Sequence, residues 1–402
     1  MIRQAVILAG GRGERLRPLT DTIPKPMVPV NGRPFLEYLI ELLKQNGIEE
    51  IVLCVGYLHE KITDYFGDGS DFGIRIIYSV GDISFETGKR LKKVEDLLDE
   101  KFLLLYCDNY WPLRLPDIVE FYEKCGALAM MTVYRNKKGV TKNNLKVEGN
   151  FVTKYDRSRL DKGLNGVDIG FFIFKKEVLD LIGDENYSFE EKVFPILIEK
   201  GQFAAFLTDQ KYYSISAMER LMETESFLKP KKVIFLDRDG VINRKPVGVD
   251  YVKKWDEFNF IPGVIESIKL LKEYGFKIII ITNQPGVARG VMTEQDLDEI
   301  HRKMQVEVDN AIDAIYVCTH GWDDECECRK PKPGLLLDAS DDFRIDLTKS
   351  YFIGDDKRDV IAGKAAGCRT ILISSGDAEN VNPDAICEDL SSAVEIVLSR
   401  VR

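Results

Sequence analysis

The chain has 402 residues, 45% hydrophobic and 30% charged, with a formal net charge of −10. That length exceeds one ordinary core and points to two domains. The acidic balance excludes a general nucleic-acid binder, which needs a basic face, and no apolar run is long enough to span a bilayer.

In chain order, short apolar runs alternate with amphipathic helical stretches. AVILAG is followed by FLEYLIELLKQNG and IEEIVLCVG, and later KKVIFLDRDG by VIESIKLLKEYG and KIIIITNQ. Such alternation predicts an α/β chain of two domains, each a mainly parallel sheet covered by helices. Ligands of such sheets gather at the carboxyl ends of the strands. A boundary is expected near residue 229, giving domains 1–228 and 229–402. MERLMETESFL reads as a closing helix, and Pro230, Lys231 and Lys232 as a short basic hinge. The opening strand follows no separate apolar leader and cleavage site, so a cytosolic (cytoplasmic) protein is expected.

After the first strand come Gly10, Gly11 and Gly13. They lack side chains that would block a phosphate, so their N–H groups can wrap a triphosphate, with Arg12, Arg15 and Lys25 adding charge. The run AVILAGGRGERLRPLTDTIPKPMVPVNGRPFLEYL resembles the signature of sugar-1-phosphate nucleotidylyltransferases. That resemblance implies a Rossmann-like fold and in-line attack of a sugar phosphate on the α-phosphorus of a nucleoside triphosphate, by positioning and charge neutralisation. It also implies that Arg15 stabilises the leaving pyrophosphate and Lys25 contacts phosphate. Asp108, after FLLLYC, would hold Mg2+, and Lys154 in FVTKYD would meet the sugar phosphate. Glu86, Thr87 and Gly88 would stand in the base and sugar loop. Similarity to mannose- and heptose-1-phosphate guanylyltransferases implies GTP. Three departures stand out. Ser214, in YYSISAMERL, replaces a second metal-binding Asp. Cys107 replaces the usual Gly before Asp108. SFETGKR lacks the small residues normal around the base. An active transferase and a non-catalytic binding or oligomerisation module therefore both fit. Tyr110 and Trp111 either line a sugar pocket or pack a loop. His59 and His301 are expected in solvent.

In the second half, VIFLDRDGVIN places Asp237 and Asp239 at a strand end, two residues apart and on one side of an extended chain. One carboxylate can attack phosphorus, and its neighbour can move the proton of the leaving oxygen. Two such charges need a cation, and Mg2+ suits oxygen ligands. Three further strand ends offer Thr282 and Asn283 as phosphate donors, Arg329 and Lys330 as charge, and Asp355 as a metal ligand, with Asp356 and Asp359 beside it. FLDRDGVIN, TNQ, CRKPKPG and GDD resemble the four motifs of haloacid dehalogenase-type phosphatases. Within them they look most like the heptose bisphosphate and histidinol phosphate phosphatases. The resemblance implies a Rossmann-like fold, Asp237 as nucleophile, Asp239 as general acid/base, and Mg2+ on Asp237, Asp239 and Asp355. Asp356 stands where the heptose enzymes usually have Lys. Cys318, His320, Cys326 and Cys328 form C-x-H-x5-C-x-C, a soft donor set for tetrahedral Zn2+ that would pin the loop carrying Arg329 and Lys330. The acidic run Asp323, Asp324 and Glu325 on that loop is expected in solvent.

Joined, the halves suggest two consecutive steps. D-glycero-D-manno-heptose 1,7-bisphosphate loses its 7-phosphate, and the 1-phosphate then receives a nucleotide. Histidinol phosphate, or another small monoester, is the alternative substrate. Partners are thus sugar phosphates and a nucleoside triphosphate, and self-association into a homo-oligomer is left open.

Overall fold

The computed structural model describes residues 2–245, 252–321, 323–374 and 381–400. It divides into two units, Met1–Lys229 and Pro230–Arg402.

The first unit is built on a nine-stranded sheet. Its order is Arg75–Val80, Glu50–Val55, Gln4–Ala9, Lys101–Tyr106, Val167–Lys175, Ala129–Tyr134, Phe203–Thr208, Phe151–Tyr155 and Leu145–Glu148. The four strands at the Arg75–Val80 edge run parallel, while Val167–Lys175 is antiparallel to both its neighbours. The sheet is therefore mixed rather than uniformly parallel. Both faces are covered, because alternate residues of the first strand enter different cores. Ala5, Ile7 and Ala9 join one, and Val6 and Leu8 the other. Helix Phe35–Gln45 buries Phe35, Leu36, Leu39, Ile40, Leu42 and Leu43, the stripe of an amphipathic helix.

The second unit carries a wholly parallel six-stranded sheet in the order Ala314–Cys318, Phe276–Asn283, Lys232–Leu236, Tyr351–Gly354, Arg369–Ile373 and Ala385–Cys387. Here too Ile234 and Leu236 face one core, Val233 and Phe235 the other. Lys232–Leu236 lies between the strands ending at Asn283 and Gly354, so three carboxyl ends converge. Among the described residues no helix is long and apolar enough to cross a membrane.

Candidate active sites

In the second unit Asp237 follows Leu236, and its N–H donates to the Ile353 carbonyl at 3.0 Å. Gly240 then takes φ +97°, and a Cβ there would fall 2.0 Å from Asp355 Oδ2. Only glycine lets the turn close against that carboxylate. Asp237, Asp355 and Asp359 each present an oxygen within 4.8 Å of the others. The buried Lys330 ammonium donates to the Ile281 carbonyl (2.9 Å) and is ion-paired with Asp237 Oδ1 (2.8 Å) and Asp359 Oδ1 (2.7 Å). Burial pulls its pKa down, but the two carboxylates outweigh it and raise it. Burial pushes Asp237 up to about 6, against the pull of Lys330.

Asp239 differs from its expected place. Its oxygens are held by Arg238 Nη2 (2.9 and 3.1 Å), Asn243 Nδ2 (2.8 Å) and Gln284 Nε2 (2.7 Å). Against burial these donors keep it below the usual carboxylate range. Its side chain is thus committed to donors, and Asp359 completes the carboxylate group instead. His301 is not in solvent: its Nε2 lies 3.2 Å from Arg238 Nη1, and burial drives its pKa to about 3. Asn283 spends one side-chain N–H on the protein itself. Its amide clasps the backbone of Lys330 in both directions, at 3.1 Å each. Thr282 is buried beside it and accepts from Gln284. Arg329 donates to the His320 carbonyl at 3.2 Å, on the cysteine loop. Asp356 caps helix Lys357–Ala366 and binds Arg358, which holds it at about 2.

The carboxylate trio fits a small hard cation. All donors are oxygen, and Asp355 Oδ1 is buried without a hydrogen-bond partner. Lys245 Nζ lies 2.5 Å from Asp355 Oδ2, supplying positive charge there. Cys318, His320, Cys326 and Cys328 also converge, with contacts of 3.2–3.7 Å between ligand atoms. Those spacings suit tetrahedral zinc, whose bonds of roughly 2.0–2.3 Å put neighbouring ligands just under 4 Å apart. Asp323, Asp324 and Glu325 are exposed, as expected.

In the first unit a cavity of about 400 Å³ opens at the end of the first strand, lined by Gly11, Gly13, Glu14, Arg15, Lys25, Tyr106, Cys107 and Asp108. Lys25 is ion-paired with Asp108. The three glycines serve different needs. A Cβ on Gly11 meets nothing within 4 Å, so this residue leaves room for a ligand. Gly13 has φ +65° and little space beside Lys25. Gly10 is small for Arg90, whose guanidinium carbon a Cβ would reach at 2.1 Å. Arg90 is 5% exposed and donates to the carbonyls of Phe85, Val55, Asp82 and Gly10 at 2.9–3.3 Å. It thereby ties the glycine loop to the loop after Arg75–Val80, and burial lowers its pKa.

Arg12 is exposed and is not among the residues lining that cavity. Lys154 is paired with Asp161 and lines a separate cavity with Glu190 and Arg157. Glu86, Thr87 and Gly88 are clamped onto residues 186–190 and do not line the glycine-loop cavity. Glu86 N donates to Asn186 Oδ1, Thr87 Oγ1 to Glu190 Oε2, and Gly88 N to the Tyr187 carbonyl. Glu190 also accepts from Tyr106 Oη, beside the cavity. Asp168, near it, carries a carboxyl pushed up to about 7 by burial. Tyr110 and Trp111 are core residues. His59 is half-buried beside Glu60 rather than solvated. Cys107 is buried, its thiol pushed up to about 12 by burial and by Asp108.

Arg238, Gln284, Lys245, Asp359, Arg90 and Glu190 carry much of this geometry, and the sequence reading gave none of them a site role. Gln284 and Arg238 lie inside the TNQ and DRD motifs, so their positions were signalled. Arg90 and Glu190 act through chain-distant contacts that no local pattern encodes.

Residues 4–231 match the family described as Nucleotidyl transferase, and residues 327–393 match the HAD-hydrolase-like family. Residues of the second half align at 37% identity, over 177 residues, with D-glycero-beta-D-manno-heptose-1,7-bisphosphate 7-phosphatase of Bordetella bronchiseptica. The match covers 42% of this chain and 98% of that protein. The chain belongs to the nucleotidyl transferases and to the family of these haloacid dehalogenase-like phosphatases. It is thus an enzyme with a phosphatase and a nucleotidyltransferase domain. The chain is also similar to UTP--glucose-1-phosphate uridylyltransferase of Synechocystis, 30% identical over 297 residues, covering 69% of this chain and 76% of that one. A crystal structure of a proposed glucose-1-phosphate thymidylyltransferase from Bacillus anthracis has the same fold as the transferase domain. Its TM-score is 0.50 at 18% identity, over 56% of this chain and 94% of that one.

Proposed function

We propose that the phosphatase domain removes the 7-phosphate of D-glycero-D-manno-heptose 1,7-bisphosphate, and that the transferase domain couples the 1-phosphate to a nucleotide, GTP in the first instance. The observation that carries this is the buried Asp237–Lys330–Asp359 constellation at the crossing of three strand ends. It comes in a domain nearly coextensive with relatives named for that bisphosphate.

In the phosphatase, Asp237 attacks phosphorus. Its oxygen bonds to the phosphoryl group, the sugar C–O–P bond breaks at phosphorus, and an aspartyl-phosphate results. Asp239 gives the departing sugar oxygen a proton and then takes one from the water that releases phosphate. Its three donors hold it ionised in the free chain, so a phosphate dianion beside it is what returns it to the acid form. Lys330 steadies both Asp237 and the incoming charge. Asp237, Asp355 and Asp359 would hold Mg2+, which screens the carboxylates from the phosphate and polarises the P–O bonds. Cys318, His320, Cys326 and Cys328 would hold Zn2+ as a structural clasp, since all four ligands come from protein.

In the transferase, Gly11 and Gly13 with Arg15 would receive the triphosphate, Lys25 would neutralise charge at the α-phosphorus, and Asp108 would hold Mg2+. Incubation of the bisphosphate with magnesium and GTP should yield GDP-heptose. UTP belongs in the same assay, because a 30% identical relative is named for it. Phosphate release without a nucleotide sugar from any common triphosphate rejects the two-step reading.

A second reading, a non-catalytic binding or oligomerisation module without nucleotide chemistry, is favoured by Ser214, which stands in place of a second metal-binding Asp. Calorimetric titration with GTP separates them, since a silent trace removes nucleotide chemistry altogether. Parallel turnover on histidinol phosphate decides between the monoester substrates.

A further inference from the structure

Ser214 forms a two-residue ladder with Asn109, and Ile215 N donates to the Asp108 carbonyl at 3.0 Å. It therefore sits one backbone hydrogen bond away from the residue that faces the glycine-loop cavity. Ser214 is 3% exposed. Its Oγ accepts from Arg220 Nη1 at 3.3 Å, and Arg220 Nη2 reaches Thr141 Oγ1 at 3.4 Å. Both contacts are long for guanidinium bonds. These residues line a cavity of about 130 Å³. That is well below the roughly 300 Å³ at which sites for drug-sized ligands begin, so it suits one small group. The carboxylate in its lining, Glu223, is already paired with Lys211 at 2.5 Å. Among the described residues, the Arg220 guanidinium is held by the neutral hydroxyls of Ser214 and Thr141 and by no carboxylate. A guanidinium fork with two hydroxyls matches the oxygens of a phosphate group. From the stretch RNKKGVTK of residues 135–142 Val140 and Thr141 join the lining, while Arg135 and Lys137 are paired with Asp209.

The identity of residue 214 matters to this balance. A carboxylate there would neutralise Arg220, whereas a hydroxyl leaves its charge available to an anion. We infer that Arg220, Ser214 and Thr141 form a phosphate subsite of the transferase domain, filled by a phosphate group of one of its own substrates. This rests on the transferase reading above. The group comes either from the sugar 1-phosphate or from the pyrophosphate end of the nucleotide, and the two sources are experimentally separable.

The test is calorimetric titration of the full chain, with magnesium, against heptose 1-phosphate and against inorganic pyrophosphate in separate runs. Arg220→Gln should weaken one of the two at least tenfold and leave the other within twofold. The ligand affected names the source. Arg220→Lys, which keeps charge but loses the fork, should recover part of that loss. Phosphatase turnover and melting temperature, measured alongside, should match the parent. Should Arg220→Gln fail to fold, Thr141→Val provides the same comparison, with an expected loss of several fold. Unchanged affinity for both ligands in a folded variant overturns the subsite while leaving the transferase reading intact. A parent chain that binds neither ligand overturns both together.

Discussion

Gly10 shows how a single position can be misread from sequence. Its place after a strand suggests a phosphate-facing glycine, yet its missing Cβ makes room for the Arg90 guanidinium. Gly56 and Gly81 also approach that group, at 3.1–3.2 Å from their Cβ positions. Gly10→Ala should therefore cost about 1–3 kcal/mol, the usual range for overpacking, and should raise the KM for nucleotide. Thermal melts and transferase kinetics check the two parts. Gly11→Ala, with nothing within 4 Å of its Cβ, should leave the melt unchanged and alter only nucleotide binding. Asp168 offers a second residue-scale test. Unfolded, its carboxyl titrates near 3.8; folded, burial places it near 7, with the Gly170 N–H pulling down and Glu190 pushing up. The folded state then binds the proton more tightly, so the acid's contribution to stability is greatest below pH 3.8 and is lost as pH rises to 7. Asp168→Asn removes that loss. At pH 8 it should be more stable than the parent by about 2 kcal/mol, a figure reduced for partial exposure. The advantage should vanish in melts near pH 4.

At the scale of elements, most of what positions the phosphatase chemistry was legible. The DRD, TNQ and GDD motifs each mark the end of a buried strand, and the parallel sheet brings those ends together. What the motifs did not reveal is which side chains spend themselves on neighbours. Asn283 braces Lys330, Asp356 caps a helix, and Asp239 is enclosed by donors. These are choices of rotamer and partner, made by packing across the sheet rather than by spacing along the chain. The cysteine loop is the element most open to experiment. Since Arg329 hangs on its His320 carbonyl and Lys330 follows directly, loosening it should displace the Lys330 ammonium. Treatment with a zinc chelator, or Cys326→Ser, should lower phosphatase turnover by about 10- to 100-fold. Zinc should restore the chelated protein, while magnesium alone should not. Nucleotide binding to the first unit is expected to be untouched.

For the whole molecule, alternation of apolar runs and amphipathic helices was enough to foresee two α/β units. It could not foresee that Val167–Lys175 inserts antiparallel into the first sheet, because strand direction depends on the path of the connections. Each unit has its own pair of cores, which argues for energetic independence. Asp237→Asn should abolish phosphate release yet leave nucleotidyl transfer to supplied heptose 1-phosphate within twofold. Lys25→Met should do the reverse, and the double variant should show the two losses without interaction. Assays of each step with its own substrate test this.

The Lys330 ammonium, already ion-paired with two carboxylates, has a consequence for traffic through the phosphatase. A bare oxyanion arriving there finds that charge already countered by Asp237 and Asp359 and must compete with both. If Asp359 turns to a divalent metal, part of the ammonium's charge is freed at the same moment that negative charge is neutralised. Anion and cation therefore gain admission as a couple, and inhibition by inorganic phosphate should be feeble in chelator and pronounced once magnesium is supplied.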